Sequence, residues 1–519
     1  MHKGIVAVLL ILTLAFALFS LQTFQRFYSD DAFISLRYAR NWLAGAGLAW
    51  NPGERVEGYT DFLHVLLVSG LGALGIDLVL ATRLVGLGSF VLLNLFMAWY
   101  LREEMRGVGA PNGLLPLLLT LPSLPLIVWC WGGLETVLFT LLSTAGLWLA
   151  LPRAGAPPRW LLSGALLGLA AMTRPEGVFF FALAGLFLLY NTLRQKTPVG
   201  PLLRFGLAFA LLYLPYFVWR LAYYGDLLPN TFYVRTTPLA DRAQCGVAYI
   251  ARFALYTSYT LVLPLTVLLL VYCAWKRRWD AQLSFLLLLL LSYLLYVVAI
   301  GGDHMLAFRF MVPILPTQAL LLSLALRQAL PTPTPRQQLG EAGLFVLLVA
   351  LQVTAPFPEI WLSQHMDASS FTGTIVGNYI AAHWPEGSLI ALNTAGSTPY
   401  YAPRHRFLDM LGVNDAHIAR RSVGSGSLPG QRIASHAKGD GAYVLSRQPD
   451  YIILGPATGA SAAAPVYFLS DRELLQSAEF AQHYQLRQVE IDISSVADHE
   501  HYQGLAAGVL TLTYFQRTH

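Results

Sequence analysis

Two adjacent carboxylates, Asp30 and Asp31, follow the first long apolar run of the chain, with Arg37 and Arg40 a few residues on. Acids held at the edge of a lipid phase are costly unless something uses them. One reading makes one of them a general base that takes a proton from an acceptor hydroxyl, its neighbour orienting it or binding a cation. The other makes Asp30 or Asp31 the cap of a helix starting at Ala32, with the arginines on its next turns. Spacing does not choose between them. The same style recurs in Glu57-Gly58-Tyr59-Thr60, Gly133-Leu134-Glu135-Thr136, Arg174-Pro175-Glu176-Gly177, Asp226-Leu227-Leu228-Pro229-Asn230-Thr231-Phe232-Tyr233 and Gly302-Asp303-His304, with Arg309 shortly after. Each has a plain alternative: Glu135 or Asp303 capping a helix, Arg174 pairing with Glu176, Pro229 and Asn230 forming a turn, His304 packing. Together they predict a polar cavity at a membrane surface. Arg174 and Arg309 would hold a phosphate there, each open to the ligand and not closed in a salt bridge.

The elements that must position these residues are membrane helices. Of 519 residues 55% are hydrophobic and 12% charged, and mean hydropathy is positive, which excludes a soluble enzyme. A spanning helix needs about 20 mostly apolar residues. We expect about eleven: 4 to 21, 78 to 101, 114 to 131, 134 to 151, 160 to 172, 177 to 193, 205 to 223, 250 to 275, 281 to 300, 308 to 326 and 341 to 355. Residues 62 to 76 read as a further span or an interfacial helix. The first run is expected to be an uncleaved helix, since no small-residue cleavage site follows it.

Lys and Arg concentrate in cytoplasmic loops. Alternate loops hold Arg102, Arg106, Arg153, Arg159, Arg194, Lys196, Arg204, Lys276, Arg277, Arg278, Arg327 and Arg336, so the amino terminus is expected inside and everything after Pro356 outside. The acidic motifs then share the outer face. Pro331 to Pro335 reads as a cytoplasmic turn or linker. The tail becomes polar, and its apolar runs Leu389 to Leu392 and Tyr451 to Leu454 alternate with helix-like Gly377 to His383 and Asp471 to Tyr484. That pattern predicts an all-α polytopic membrane part over 1–362 and a periplasmic α/β domain over 363–519. The three cysteines are scattered and support no disulfide framework or zinc site. Loop arginines account for the net charge of +5, leaving nucleic-acid binding without support.

As a set, the Asp-Asp loop with its Glu-Gly-Tyr-Thr, the Gly-Leu-Glu-Thr, Arg-Pro-Glu-Gly and Tyr-Gly-Asp-Leu-Leu-Pro-Asn-Thr-Phe-Tyr segments, and Gly-Gly-Asp-His-Met through Arg-Phe resemble the GT-C superfamily of polyprenyl-phosphate-sugar glycosyltransferases. Within it they are most similar to the mycobacterial terminal β-1,2-arabinofuranosyltransferase group and its bacterial relatives. The resemblance covers residues 20 to 325 and touches the tail at Gly412-Val413-Asn414-Asp415 and Pro449-Asp450-Tyr451. It implies a GT-C-like fold in a bacterial inner membrane and an inverting transfer from a lipid-linked sugar to a glycan, lipid or protein acceptor. Asp30 stands at the family's catalytic aspartate and Asp31 is next best. Arg174 and Arg309 are the phosphate candidates, and Glu57, Tyr59, Glu135, Asp226, Asn230, Tyr233, Asp303 and His304 the sugar or acceptor candidates. At His304 the group usually carries an aromatic or small residue. The family divides over metal dependence, so a magnesium or manganese ion is admitted and not required. A flippase or transporter of lipid-linked glycan would favour midplane charges or inverted repeats, and neither is evident. A scaffold or sensor would leave the acidic loop unexplained.

Overall fold

Long apolar windows satisfy their backbone groups internally only as helices when lipid surrounds them, and the computed structural model is helical through its first two thirds. It describes residues 2–104, 114–152, 157–236, 238–330, 358–424, 436–464, 466 and 468–518, with single positions between 334 and 351. The helices are α1 (His2–Thr23), α2 (Ala32–Leu43), α3 (Phe62–Ala73), α4 (Leu78–Glu104), α5 (Leu115–Thr120), α6 (Leu124–Trp131), α7 (Thr136–Leu149) and α8 (Trp160–Thr173). They continue as α9 (Glu176–Gln195), α10 (Gly200–Tyr224), α11 (Asn230–Val234), α12 (Leu239–Leu255), α13 (Tyr259–Trp275), α14 (Ala281–Ile300) and α15 (Leu315–Ala329).

Among the described residues five helical stretches are long and apolar enough to cross a membrane: α4, α9, α10, α14 and Leu306–Ala329, which joins a 3₁₀ segment to α15. Residues 7–23 of α1, with α3, α7 and α8, form shorter apolar helices. The Leu306–Ala329 stretch is buried almost throughout, whereas the others leave much of their surface open, so it lies at the centre of the bundle.

Two predicted spans take a different form. The one at 114 to 131 is broken into α5 and α6, with Pro125 in the first turn of α6, where its missing N–H costs nothing. The one at 250 to 275 is bent: α12 and α13, which are apolar enough together for one crossing, meet at 96°. Helix α12 carries Asp241, Arg242 and Arg252 and buries the stripe Gly246, Tyr249 and Phe253. Thr257 and Thr260 end it by donating their hydroxyls to Phe253 O and Ala254 O. Gly246 seats α12 on α14, since a Cβ there would overlap the Val298 backbone. Residues 62 to 76 contain the helix α3. The eleventh span and the Pro331 to Pro335 turn lie largely outside the described residues.

The tail carries a five-stranded sheet in the order β2-β1-β3-β5-β4. Strands β1 (Leu389–Leu392), β2 (Arg406–Asp409) and β3 (Tyr451–Ile453) run parallel, while β4 (Tyr484–Asp492) and β5 (Val509–Arg517) form an antiparallel pair beside β3. Side chains alternate between faces. Ala391, Leu408 and Ile452 pack with Val444, Leu474 and Phe480 of the tail's own helices. Ile390, Leu392, Phe407 and Ile453 face the other way and join the apolar core that continues into the helical bundle. Both faces of the parallel part are therefore covered.

Candidate active site

Asp30 lies in the short connection between α1 and α2, and the tail holds it from above. Its Oδ1 accepts the Ser397 backbone N–H at 2.9 Å and the Ser397 hydroxyl at 2.6 Å. Gly396 lies so close that a Cβ would overlap the Asp30 carbonyl and carboxylate. Burial pushes the Asp30 carboxyl up to about 7, against the downward pull of both Ser397 bonds, with Asp367 and Asp31 adding to the rise. A carboxylate so placed suits a general base working near neutrality.

The capping alternative is corrected. Asp31 occupies the N-cap position of α2, but its backbone is already helical (φ −59°, ψ −24°) and its side chain makes no capping hydrogen bond. An N-cap aspartate needs extended backbone to turn its oxygens onto the first free amides.

Beside this pair is a buried ionic group. Arg174 occupies the single extended residue between α8 and Pro175 at the start of α9. Its Nη1 donates to Glu135 at 2.8 Å and its Nη2 to Glu176 at 2.6 Å. Gly301, in the left-handed conformation at φ 88°, ends α14 and turns the chain into Asp303. There Asp303 accepts the Arg309 Nε–H at 2.7 Å and the His304 backbone N–H at 2.9 Å. Burial pushes Asp303 up, but Arg309, with His304, Arg235 and Arg174 behind it, holds it down at about 2.

The guanidinium carbons of Arg174, Arg309 and Arg235 stand 4.9, 5.1 and 5.3 Å from the centroid of one ring, Phe310. Their charges differ in commitment. Arg174 is closed between two carboxylates, contrary to the expectation of an open cavity. Arg309 is also buried and paired, yet its hydrogen bonding among the described residues is through Nε only. Arg235 is half-buried, reaches only Gly302 O at 3.5 Å, and pairs with no carboxylate among the described residues.

The remaining candidates gather elsewhere, which corrects the expectation of one cavity lined by all of them. Glu57 is buried against Arg220 of α10 in a two-point pair, at 2.8 Å to Nε and 2.6 Å to Nη2. The Tyr59 hydroxyl accepts from Tyr224 at 3.1 Å. Asn230 donates to Gly412 O and Val413 O at 2.8 and 2.9 Å, Asp226 pairs with Arg420 at 2.7 Å, and Tyr233 lies under the Arg420 guanidinium. Those three fasten the 226–233 segment to the tail. Asp30, Asp31, Glu135, Arg174, Asp303, His304 and Arg309 remain as one electrostatic group.

Sequence reasoning missed Arg235, Ser397 and a buried pair, Asp61 and His64. Asp61 accepts from Ser35 at 2.9 Å and lies 3.0 Å from His64 Nδ1. Two polar residues three apart at the head of the apolar α3 were the available signal. Among the described residues no three His, Cys, Asp or Glu side chains are placed to hold a metal.

With this geometry in place the similarities gain meaning. Residues 360–503 match a family described as a domain of unknown function (DUF8728). The terminal β-(1→2)-arabinofuranosyltransferase of Mycobacterium tuberculosis is 30% identical over 271 residues, 47% of this chain and 41% of its own. The enzyme of the same name from Corynebacterium glutamicum is 27% identical over 322 residues, 54% of this chain and 45% of its own. The chain thus spans less than half the length of these curated relatives. The Archaeoglobus fulgidus oligosaccharyltransferase in its apo form shares the fold at a TM-score of 0.54 and 11% identity, over 85% of this chain and 69% of that one. The chain thus shares the fold of this oligosaccharyltransferase, and in sequence it is similar to the terminal arabinofuranosyltransferases, as the motifs predicted.

Proposed function

We propose that the chain is an inverting glycosyltransferase that moves a sugar, arabinofuranose by its resemblance, from a polyprenyl-phosphate donor to an envelope glycan, lipid or protein. The observations that carry this reading are one positioned carboxylate, Asp30, and, reached through its neighbour Asp31, Arg309 among the three arginines around Phe310. Asp30 takes the proton of the acceptor hydroxyl. The freed oxygen attacks the anomeric carbon from the side opposite the phosphate, the bond from that carbon to the phosphate oxygen breaks, and polyprenyl phosphate leaves. Its growing charge is met by Arg309 and Arg235, whose guanidinium groups have donors to spare, while Arg174, closed between Glu135 and Glu176, fixes the wall beside them.

The rest of the reading follows from the loop charges. About eleven crossings with the amino terminus in the cytoplasm put Asp30 and the tail on the periplasmic side of the inner membrane. There no nucleotide sugar is at hand, and a lipid-borne donor fits. The division into a membrane part over 1–362 and a soluble domain over 363–519 is supported by the family match that begins at residue 360.

The test is transfer from a synthetic polyprenyl-phosphate arabinofuranose by the full chain in nanodiscs, with a panel of envelope glycans as acceptors. Labelled product with inverted configuration is expected. Donor left intact with every acceptor, while binding tightly, would instead favour a carrier of lipid-linked glycan.

A further inference from the structure

The two oxygens of Asp30 are not equivalent. Oδ1 accepts both Ser397 donors, whereas no side chain or amide donates to Oδ2 among the described residues. Ser397 is itself fixed. It is fully buried, its hydroxyl also lies 3.2 Å from Ser369 O, and Gly396 presses the turn against Asp30 with no room for a side chain. The turn leaves the end of β1, where Asn393 is tied to Asp471 at 2.9 Å. Its position is therefore set by the sheet.

The same contact is braced on both sides. Tyr28 O accepts the Asp367 N–H at 3.1 Å just before the acidic pair. Just after it, Arg37 of α2 donates to Pro399 O and to His405 O, and Arg40 to Tyr400 O. A buried arginine bonded to three carbonyls, the third being Trp50 O at 2.7 Å, does not shift freely.

We infer that Ser397 is the positioning residue of Asp30, so that the segment matched as a domain of unknown function completes the transfer site by holding one oxygen of the base and leaving the other for the acceptor. This rests on the reading of Asp30 as that base. Fixing Oδ1 aims Oδ2, which is the kind of preorganisation that lets a proton move without rearrangement. It also tunes the base. Hydrogen bonds to a carboxylate favour its charged form, and here they oppose burial and the negative charges of Asp31 from the same loop and Asp367 from the tail. Beyond these two acids lie Arg309, which faces Asp31, and His304, which faces Asp367.

The experiment is the pH profile of kcat/KM for Ser397→Ala in the full chain in nanodiscs, with donor binding and Tm measured on the same sample. Removal of the hydroxyl raises the pKa of the base, so the acidic limb should move up by about one pH unit. The rate at pH 7 then falls about fivefold and recovers toward pH 9, with donor affinity unchanged. Any loss of folded enzyme scales every point of the profile equally and cannot move the limb. An unmoved limb, with or without a lower Tm, would overturn the inference and leave Ser397 a packing residue. Asp30→Asn run in parallel separates the two levels. If it retains transfer, the base reading falls; if it abolishes transfer while the Ser397→Ala limb stays in place, only the positioning role falls.

Discussion

Asp30 carries its argument because it has both an unusual environment and an idle oxygen. Its carboxyl is pushed up to about 7 by burial, so it is mostly protonated below that pH and mostly a carboxylate above it. A base must be deprotonated to act, and transfer should therefore fall as pH drops through about 7, roughly tenfold per unit. Asp303, held at about 2, stays charged throughout that range and contributes no limb of its own. A flat rate between pH 5.5 and 8 would contradict the assignment.

The arginines divide at the same scale. Arg235→Gln should raise the KM for donor at least tenfold with Tm nearly unchanged, since it loses donors aimed at an anion. Arg309→Gln should raise it as much and also lower Tm, because buried Asp303 loses its counter-charge. Arg174→Ala should instead lower stability by about 3–5 kcal/mol, because Glu135 and Glu176 would be left buried without a counter-charge. Thermal unfolding and donor titration on the three variants separate these outcomes.

Among the elements, the helices were the most legible part of the sequence. Runs such as Gln282 to Ile300 are apolar for too long to be anything else, and α14 occupies them. Where sequence reading went astray, the deciding contact is with a residue distant along the chain. The seat of α12 on α14 depends on Gly246 meeting Val298, and the split of the polar motifs into two groups depends on the tail. Motif spacing singled out the Asp30–Asp31 pair, Arg174 and Arg309 as candidates. It could not find Ser397, an unremarkable serine 367 positions from its acid. Nor could it assign Asn230, which looked like a turn former and fastens two segments. Asn230→Ala should cost about 1–3 kcal/mol by leaving carbonyls of the 412–413 segment without a donor, and should speed proteolysis of the tail. Unchanged Tm and cleavage rates would show that water replaces the amide.

At the scale of the whole molecule, a helical bundle meets a sheet-bearing tail that grips the loop carrying Asp30. Everything depends on the side of the membrane where that loop lies. Reporters fused after Lys196 and Arg278 should report cytoplasm, and one after Pro358 periplasm; a cytoplasmic tail would remove the site from the compartment of its substrates. The central claim is that the intact chain transfers sugar from a polyprenyl phosphate with Asp30 as the base. Asp30→Asn keeps the size of the side chain and can still accept from Ser397, so folding and donor binding should survive. Its turnover, measured in nanodiscs with a synthetic polyprenyl-phosphate arabinofuranose, should fall about 100- to 10,000-fold. Turnover near that of the unaltered chain, with the donor bound equally well, would contradict the account.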